Sequence, residues 1–192
     1  LSIRRQRQMC IRDSANTSRL VSELHKSGVT TFESKSGYAL DVANESRTLQ
    51  IAKEFTDETT FLGAHVVPSE FANRSDEYVE LVVGEMLQAS KSHAKWIDVF
   101  CDRGAFDVDQ ARTILRAGVE AGLQPRIHAN QLANIGAVKL AVELDCASAD
   151  HLSHLTDEDV DALAGSNTVA TLLPGAESVS YTHLTLPTNR EV

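Results

Sequence analysis

The feature that most limits what this chain can become is an alternation. Six times a short apolar or β-branched segment gives way to an amphipathic helical stretch, and nearly every such segment stops at a polar or ionisable residue. Residues 29–33 run into Lys35 and Tyr38, residues 60–64 into His65, and residues 96–101 into Asp102. A fourth segment begins at Pro125 and ends at His128, a fifth runs from Ser148 to His151, and a sixth, 168–173, ends at Pro174-Gly175.

The intervening stretches carry helix signals. Residues 16–26 stop before Gly28, a usual helix terminator. Asp41 is placed to cap a helix bearing Val42, Leu49, Ala52 and Phe55. Val79, Val82, Val83, Met86 and Leu87 form one helical stripe. Asp107 and Gln110 have capping-box spacing before a helix that closes at Gly122. Ile135, Val138, Ala141 and Val142 mark the next helix, and Thr156 with Asp159 opens a short one.

Strand–helix alternation predicts an α/β fold with a parallel sheet. Two architectures compete, a (β/α) barrel and an open doubly wound sheet. The open sheet is disfavoured because no glycine-rich phosphate loop follows any strand. The barrel is favoured because it converges all its strand ends on one mouth, whereas an open sheet converges only those at its switch point.

Composition excludes other classes. The net charge is −9, and four arginines against Asp13 make residues 1–14 basic, so the body is more acidic still. An acidic body argues against a nucleic-acid partner. No apolar run reaches the length of about 20 residues that spans a bilayer, so no membrane partner is expected. Cys10, Cys101 and Cys146 are scattered and lack C-x-x-C spacing. They are expected to be free thiols in a reducing, cytoplasmic setting. Residues 1–14 and 178–192 resemble translated adapter sequence at the edges of assembled gene fragments, and are set apart as tails. Residues 15–177 then form one catalytic-type domain, and His183 is given no role.

Among the strand ends, His128 is placed to be a metal ligand or a core histidine hydrogen-bonded to backbone; spacing alone leaves both open. His65 and His151 can bind an anion or act as acid, base or electrophile. Tyr38, after a glycine, can set a phenol over the mouth or simply pack. Gln131 can hydrogen-bond a substrate amide but cannot move a proton. His25 and His154 read as solvated, and Cys101 and Cys146 as small buried residues.

Six stretches in this order resemble the imidazolonepropionases of the amidohydrolase superfamily. They are Thr30-Thr31-Phe32-Glu33-Ser34-Lys35-Ser36-Gly37-Tyr38, Thr60-Phe61-Leu62-Gly63-Ala64-His65, Asp98-Val99-Phe100-Cys101, His128-Ala129-Asn130-Gln131-Leu132, Ser148-Ala149-Asp150-His151-Leu152 and Leu172-Leu173-Pro174-Gly175. The resemblance implies hydrolysis of 4-imidazolone-5-propanoate to N-formimidoyl-L-glutamate in histidine degradation, with one zinc or iron ion, in a family that tends to dimerise. It implies His128 as metal ligand, Tyr38, His65 and Gln131 as substrate contacts, and His151 as the catalytic neighbour of the metal-bound water.

The family's H-x-H ligand pair, its ligand Asp and its β-sandwich have no counterpart here. The resemblance therefore implies an incomplete TIM barrel of about six strand–helix units, and a chain too poor in ligands to hold an ion tightly or to turn over substrate. The alternatives are another amidohydrolase or deaminase, or a non-catalytic barrel paralogue acting as a binding module.

Overall fold

The computed structural model describes residues 2–180, with side chains from 13 to 177. Residues 181–190, which alternate like a strand, and His183 lie outside the described residues. Among the described residues seven strands form one sheet: β1 (Ser34–Lys35), β2 (Thr59–Ala64), β3 (Trp96–Cys101), β4 (Gln124–Pro125), β5 (Ile127–Ala129), β6 (Ser148–His151) and β7 (Val169–Thr171). Every pairing is parallel, in the order β1-β2-β3-β5-β6-β7, with β4 also on β3. Each element of that path neighbours the next along the chain. A doubly wound sheet must reverse its order at a switch point, and this one never does. It is a curled parallel sheet with helices on its outside, an incomplete α/β barrel.

The helices are α1 (Ser2–Lys26), α2 (Val42–Lys53), α3 (Ser75–Leu81), α4 (Leu87–Ser90), α5 (Val108–Glu120), α6 (Ala137–Glu143), α7 (Asp157–Ala164) and α8 (Pro174–Ser180). The expected caps form. Asp41 accepts from the Asn44 amide at 2.9 Å, and Asp107 and Thr156 each head a complete capping box. Gly28 closes α1 with φ +90°, the left-handed conformation that a terminating glycine supplies without strain.

Three elements depart from the pattern. Helix α1 starts at Ser2, well upstream of residue 16, through a stretch with no helical period of its own. The first strand is Ser34–Lys35, which reads as loop, and not the β-branched run before it. The ladder decides this: β1 is strand only where β2 lies alongside, with Ser34 opposite Thr59 and Lys35 opposite Thr60. The stripe from Val79 to Leu87 is not one straight helix. Gly84 (φ −91°, ψ −108°) breaks it, leaving a wide turn over Val82–Met86 between α3 and α4.

The sheet's two faces differ in kind. Phe61, Ile97, Val99, Ile127 and Ala149 face outward into a buried apolar cluster with Leu49, Ile114, Leu115, Val138 and Leu140 of the helices. Gly118 of α5 sits so close to Ile97 that an added Cβ would come within 2.4 Å of it. The inner, concave face alternates with this one and carries Lys35, Asp98, His128 and Asp150, with Lys35 bonded to both aspartates and His128 to Asp98. Cys101 and Cys146 are buried and free, as the sequence suggests. No helix of the described residues is long and apolar enough to cross a membrane.

Candidate active site

The concave face is organised around an ion network. The Lys35 ammonium lies 2.7 Å from Asp98 Oδ2 and 2.9 Å from Asp150 Oδ2, with Glu33 at 3.7 Å. Asp98 is fully buried. His128 is set opposite Phe100 and Asp150 by strand register. Its Nδ1 lies 3.0 Å from both oxygens of Asp98. Burial pulls the Lys35 ammonium towards neutrality, but Asp98, Asp150 and Glu33 outweigh it and hold its pKa well above the lysine range. Burial likewise pushes the Asp98 carboxyl up, and His128 and Lys35 reverse that, holding it well below the carboxylate range. Asp98 is therefore an anion that can only accept, so the His128 Nδ1 must carry a proton.

The same tautomer recurs at the other two histidines. His65 Nδ1 donates to the Gly37 carbonyl at 2.9 Å. His151 Nδ1 donates to Glu177 Oε1 at 2.6 Å, and Ser153 donates to the other oxygen of Glu177 at 2.7 Å. Each ring is anchored through Nδ1, so in the neutral form each Nε2 bears the lone pair. The rings are neighbours. The His128 centroid is 5.2 Å from that of His151 and 6.4 Å from that of His65, with Phe100 within 6.0 Å of both His65 and His128.

Two of these three rings reach the concave face only through backbone irregularities. Strands β2 and β3 pair Phe61 with Ile97 but Ala64 with Val99, so β2 carries one extra residue. That bulge turns Ala64 outward and His65 inward. At the end of β6, regular alternation would put His151 on the face opposite Asp150. Its φ of +79°, followed by +59° at Leu152, bends the chain and brings the ring against His128. The Ala129 carbonyl accepts from the Leu152 amide at 3.1 Å and so secures the bend.

The loops at the mouth are held from behind. Tyr38 is almost wholly exposed, with its ring edge-on to His65 at 5.0 Å. Its loop is gripped by the buried Glu45 carboxylate, which accepts from the amides of Gly37, Ala39 and Leu40 at 2.8–2.9 Å. Gly37 is required here: φ is +111°, and a Cβ would stand 2.7 Å from the Leu62 carbonyl oxygen. Gln131 lies half-buried after β5, in a loop fixed by Asp102, which accepts from the Leu132 amide at 2.8 Å. His154, expected on a solvated face, is half-buried instead. Its amide donates to the Asn130 carbonyl at 3.0 Å, and its own carbonyl accepts from Asn130 Nδ2 at 3.1 Å. His25 stays exposed on α1.

The structure thus gathers Tyr38, His65, His128 and His151 at one mouth with Gln131 in an adjoining loop. Sequence reasoning missed Asp98, Asp150, Glu45 and Glu177. Asp98 and Asp150 had a signal: each is a carboxylate inside an otherwise apolar or small-residue strand segment, which a buried strand tolerates only with a partner. Asp98, His128 and Asp150 also form a possible metal-binding triad, with one ligand atom from each within 4.8 Å of the others. As a donor set for a divalent ion it fits in part. His128 has a lone pair at Nε2, and Asp150 Oδ1 is buried without a hydrogen-bond partner. Both Asp98 oxygens, in contrast, are already engaged.

A parallel β/α sheet curled so that anchored imidazoles and buried carboxylates share its concave end is an enzyme-type barrel scaffold. Comparison with known proteins narrows this to one family name. No family model matches the chain. Yet it is 63% identical over 163 residues to the imidazolonepropionase of Streptomyces coelicolor, 61% over 163 residues to that of Mycolicibacterium smegmatis, and 62% over 163 residues to that of Streptomyces avermitilis. Each match covers 85% of this chain but only 42%, 41% and 39% of the relative. Over that span the chain is imidazolonepropionase-like.

Proposed function

We propose that this chain carries the middle of the active site of an imidazolonepropionase, a cytoplasmic hydrolase that opens the ring of 4-imidazolone-5-propanoate to give N-formimidoyl-L-glutamate. The observation that carries the reading is the shared anchoring of His65, His128 and His151 through Nδ1, with the rings adjoining at one mouth. Carboxylate- or carbonyl-backed imidazoles are how proteins present Nε2 to a metal or a reacting atom.

In this reading His128 is the metal ligand, through Nε2, for zinc or iron. Such an ion, when bound, polarises a carbonyl and acidifies water. The chain's own residues do the rest. His151, backed by Glu177, accepts or returns a proton at Nε2 beside the reacting carbonyl. Tyr38 binds the substrate from the loop that Glu45 holds, and His65 from the end of β2, where its Nδ1 donates to the Gly37 carbonyl of that loop. Gln131 hydrogen-bonds the ring amide from the loop that Asp102 holds. The whole protein acts on this small molecule as a homodimer.

A chimera tests it. The 163 matched residues replace their counterpart in the Streptomyces coelicolor imidazolonepropionase, and hydrolysis of 4-imidazolone-5-propanoate is followed. The chimera is expected to turn over, and His128→Asn or His151→Asn to abolish turnover in a folded protein. The isolated chain is expected to show no hydrolysis and no stoichiometric metal. A folded, metal-loaded chimera without activity, or full activity in the His151→Asn chimera, would sink the reading.

A further inference from the structure

We infer that Lys35 is the resident cation of the Asp98–His128–Asp150 cluster and keeps a metal ion out of it. The inference concerns the buried cluster alone and holds whatever substrate the mouth takes.

Two carboxylates and an imidazole with ligand atoms within 4.8 Å of one another make a cation site by geometry. Asp98 and Asp150 are both buried, at 0% and 4% exposure. Two buried anions at such separation need a positive charge between them. Here that charge arrives from β1: Lys35 Nζ is 2.7 Å from one carboxylate and 2.9 Å from the other. Those are the separations of charge-assisted hydrogen bonds. A zinc ion would need oxygens at about 2.0–2.2 Å, and it cannot share the gap with an ammonium of like charge. Lys35 lies 63 residues from Asp98 and 115 from Asp150 in sequence, so the barrel's curl brings the three together.

The consequence is a division of labour. With Lys35 in place, Asp98 is not a ligand but a positioning residue, both of its oxygens committed to Lys35 and His128. An unpartnered oxygen remains on Asp150, Oδ1, buried and directed to no protein donor. Removing the ammonium would leave the carboxylates and His128 as a vacant cation site, with that oxygen ready to bind.

The test compares the native chain, Lys35→Met, and Lys35→Met with Asp150→Asn, each by metal content after Zn2+ dialysis and by thermal unfolding. The native chain's melting temperature is expected not to respond to Zn2+. Lys35→Met is expected to melt lower without metal and to take up one Zn2+, which raises its midpoint by about 5–10 °C at a free ion concentration about 100 times Kd. Adding Asp150→Asn is expected to abolish both effects. Zinc held through His128 alone would survive Asp150→Asn, so the two sites are distinguishable. A native chain that binds Zn2+ in a manner lost with Asp150→Asn overturns the inference. So does a folded Lys35→Met that gains no metal. If Lys35→Met does not fold even with Zn2+, Lys35→Gln decides. A zinc gain that Asp150→Asn removes supports the inference, and no gain overturns it. Failure of the chimera's hydrolysis leaves all these readings untouched.

Discussion

His151 Nδ1 donates to Glu177 Oε1 across 2.6 Å, joining the end of β6 to α8. The ring is nearly buried and its backbone is in the left-handed region. The carboxylate therefore fixes the orientation of a side chain that sits in a strained conformation. Replacing Glu177 with Ala leaves a buried N–H without an acceptor. It is expected to cost about 1–3 kcal/mol of unfolding free energy in urea. Glu177→Gln keeps a carbonyl oxygen for Nδ1 and is expected to cost less. Equal losses for the two variants would show that the helix, and not the hydrogen bond, is what Glu177 supplies.

Glu45 does the corresponding work for Tyr38. Its buried carboxylate accepts three amides, two on Oε1 and that of Gly37 on Oε2. Glu45→Gln preserves the first two and turns an acceptor into a donor facing Gly37. Glu45→Ala strands all three. The expected order of stability is native, then Gln, then Ala, with the Ala variant losing roughly 3 kcal/mol or more. The local readout is the contact between the Tyr38 and His65 rings, followed by NMR cross-peaks. Persistence of that contact in Glu45→Ala would mean that the loop does not depend on the carboxylate.

These two carboxylates mark the boundary of what was legible in the sequence. The alternation of segments specified a parallel sheet, and the strand-end histidines specified where its mouth lies. Trp96–Cys101 matches its expected strand, because a six-residue run that is apolar but for Asp98 and rich in β-branched and aromatic residues admits little else. The inward turn of His65 rests on a one-residue bulge, and that of His151 on a positive φ. Neither has a local sequence signature, since both follow from how neighbouring strands pair. Glu45 reads as an ordinary helix carboxylate, and Glu177 stands beyond the last segment that the sequence reads as strand or helix. Their partners are amides and an imidazole that only the fold brings near. Lys35 reads as a polar loop residue because its partners stand 63 and 115 positions away.

Gly118 offers a test of the outer face. Helix propensity alone favours Gly118→Ala by roughly 1 kcal/mol. Packing opposes it, because the new Cβ would stand 2.4 Å from two carbons of Ile97, which is itself buried in β3. Overpacking of a dense core costs about 1–3 kcal/mol. The variant is expected to be less stable than the native chain, and Gly118→Ala with Ile97→Val to recover part of the loss. A stabilised single variant would show that α5 can move off the sheet.

The buried thiols make the fold sensitive to alkali. Burial pushes Cys101 up to about 12, helped by Asp102 and Asp107, and pushes Cys146 up to about 12, helped by Asp98 and Asp145. An unfolded cysteine ionises near pH 8.5. The folded pKa is the higher one, so the native state holds protons that the unfolded state releases. The stabilisation is complete below about pH 8.5 and declines as pH rises towards about 12. Each thiol then contributes a slope of up to roughly 1.4 kcal/mol per pH unit. Tyr78, raised by burial with Glu45 and Asp41 nearby, adds to the decline above about pH 10. Urea unfolding between pH 7.5 and 10.5 is expected to show falling stability, and Cys146→Ala a shallower fall. In a Cys10→Ser background, native thiols that ionise near pH 8.5 by ultraviolet absorbance, or a flat stability profile, would refute the assignment of both side chains to the dry outer core.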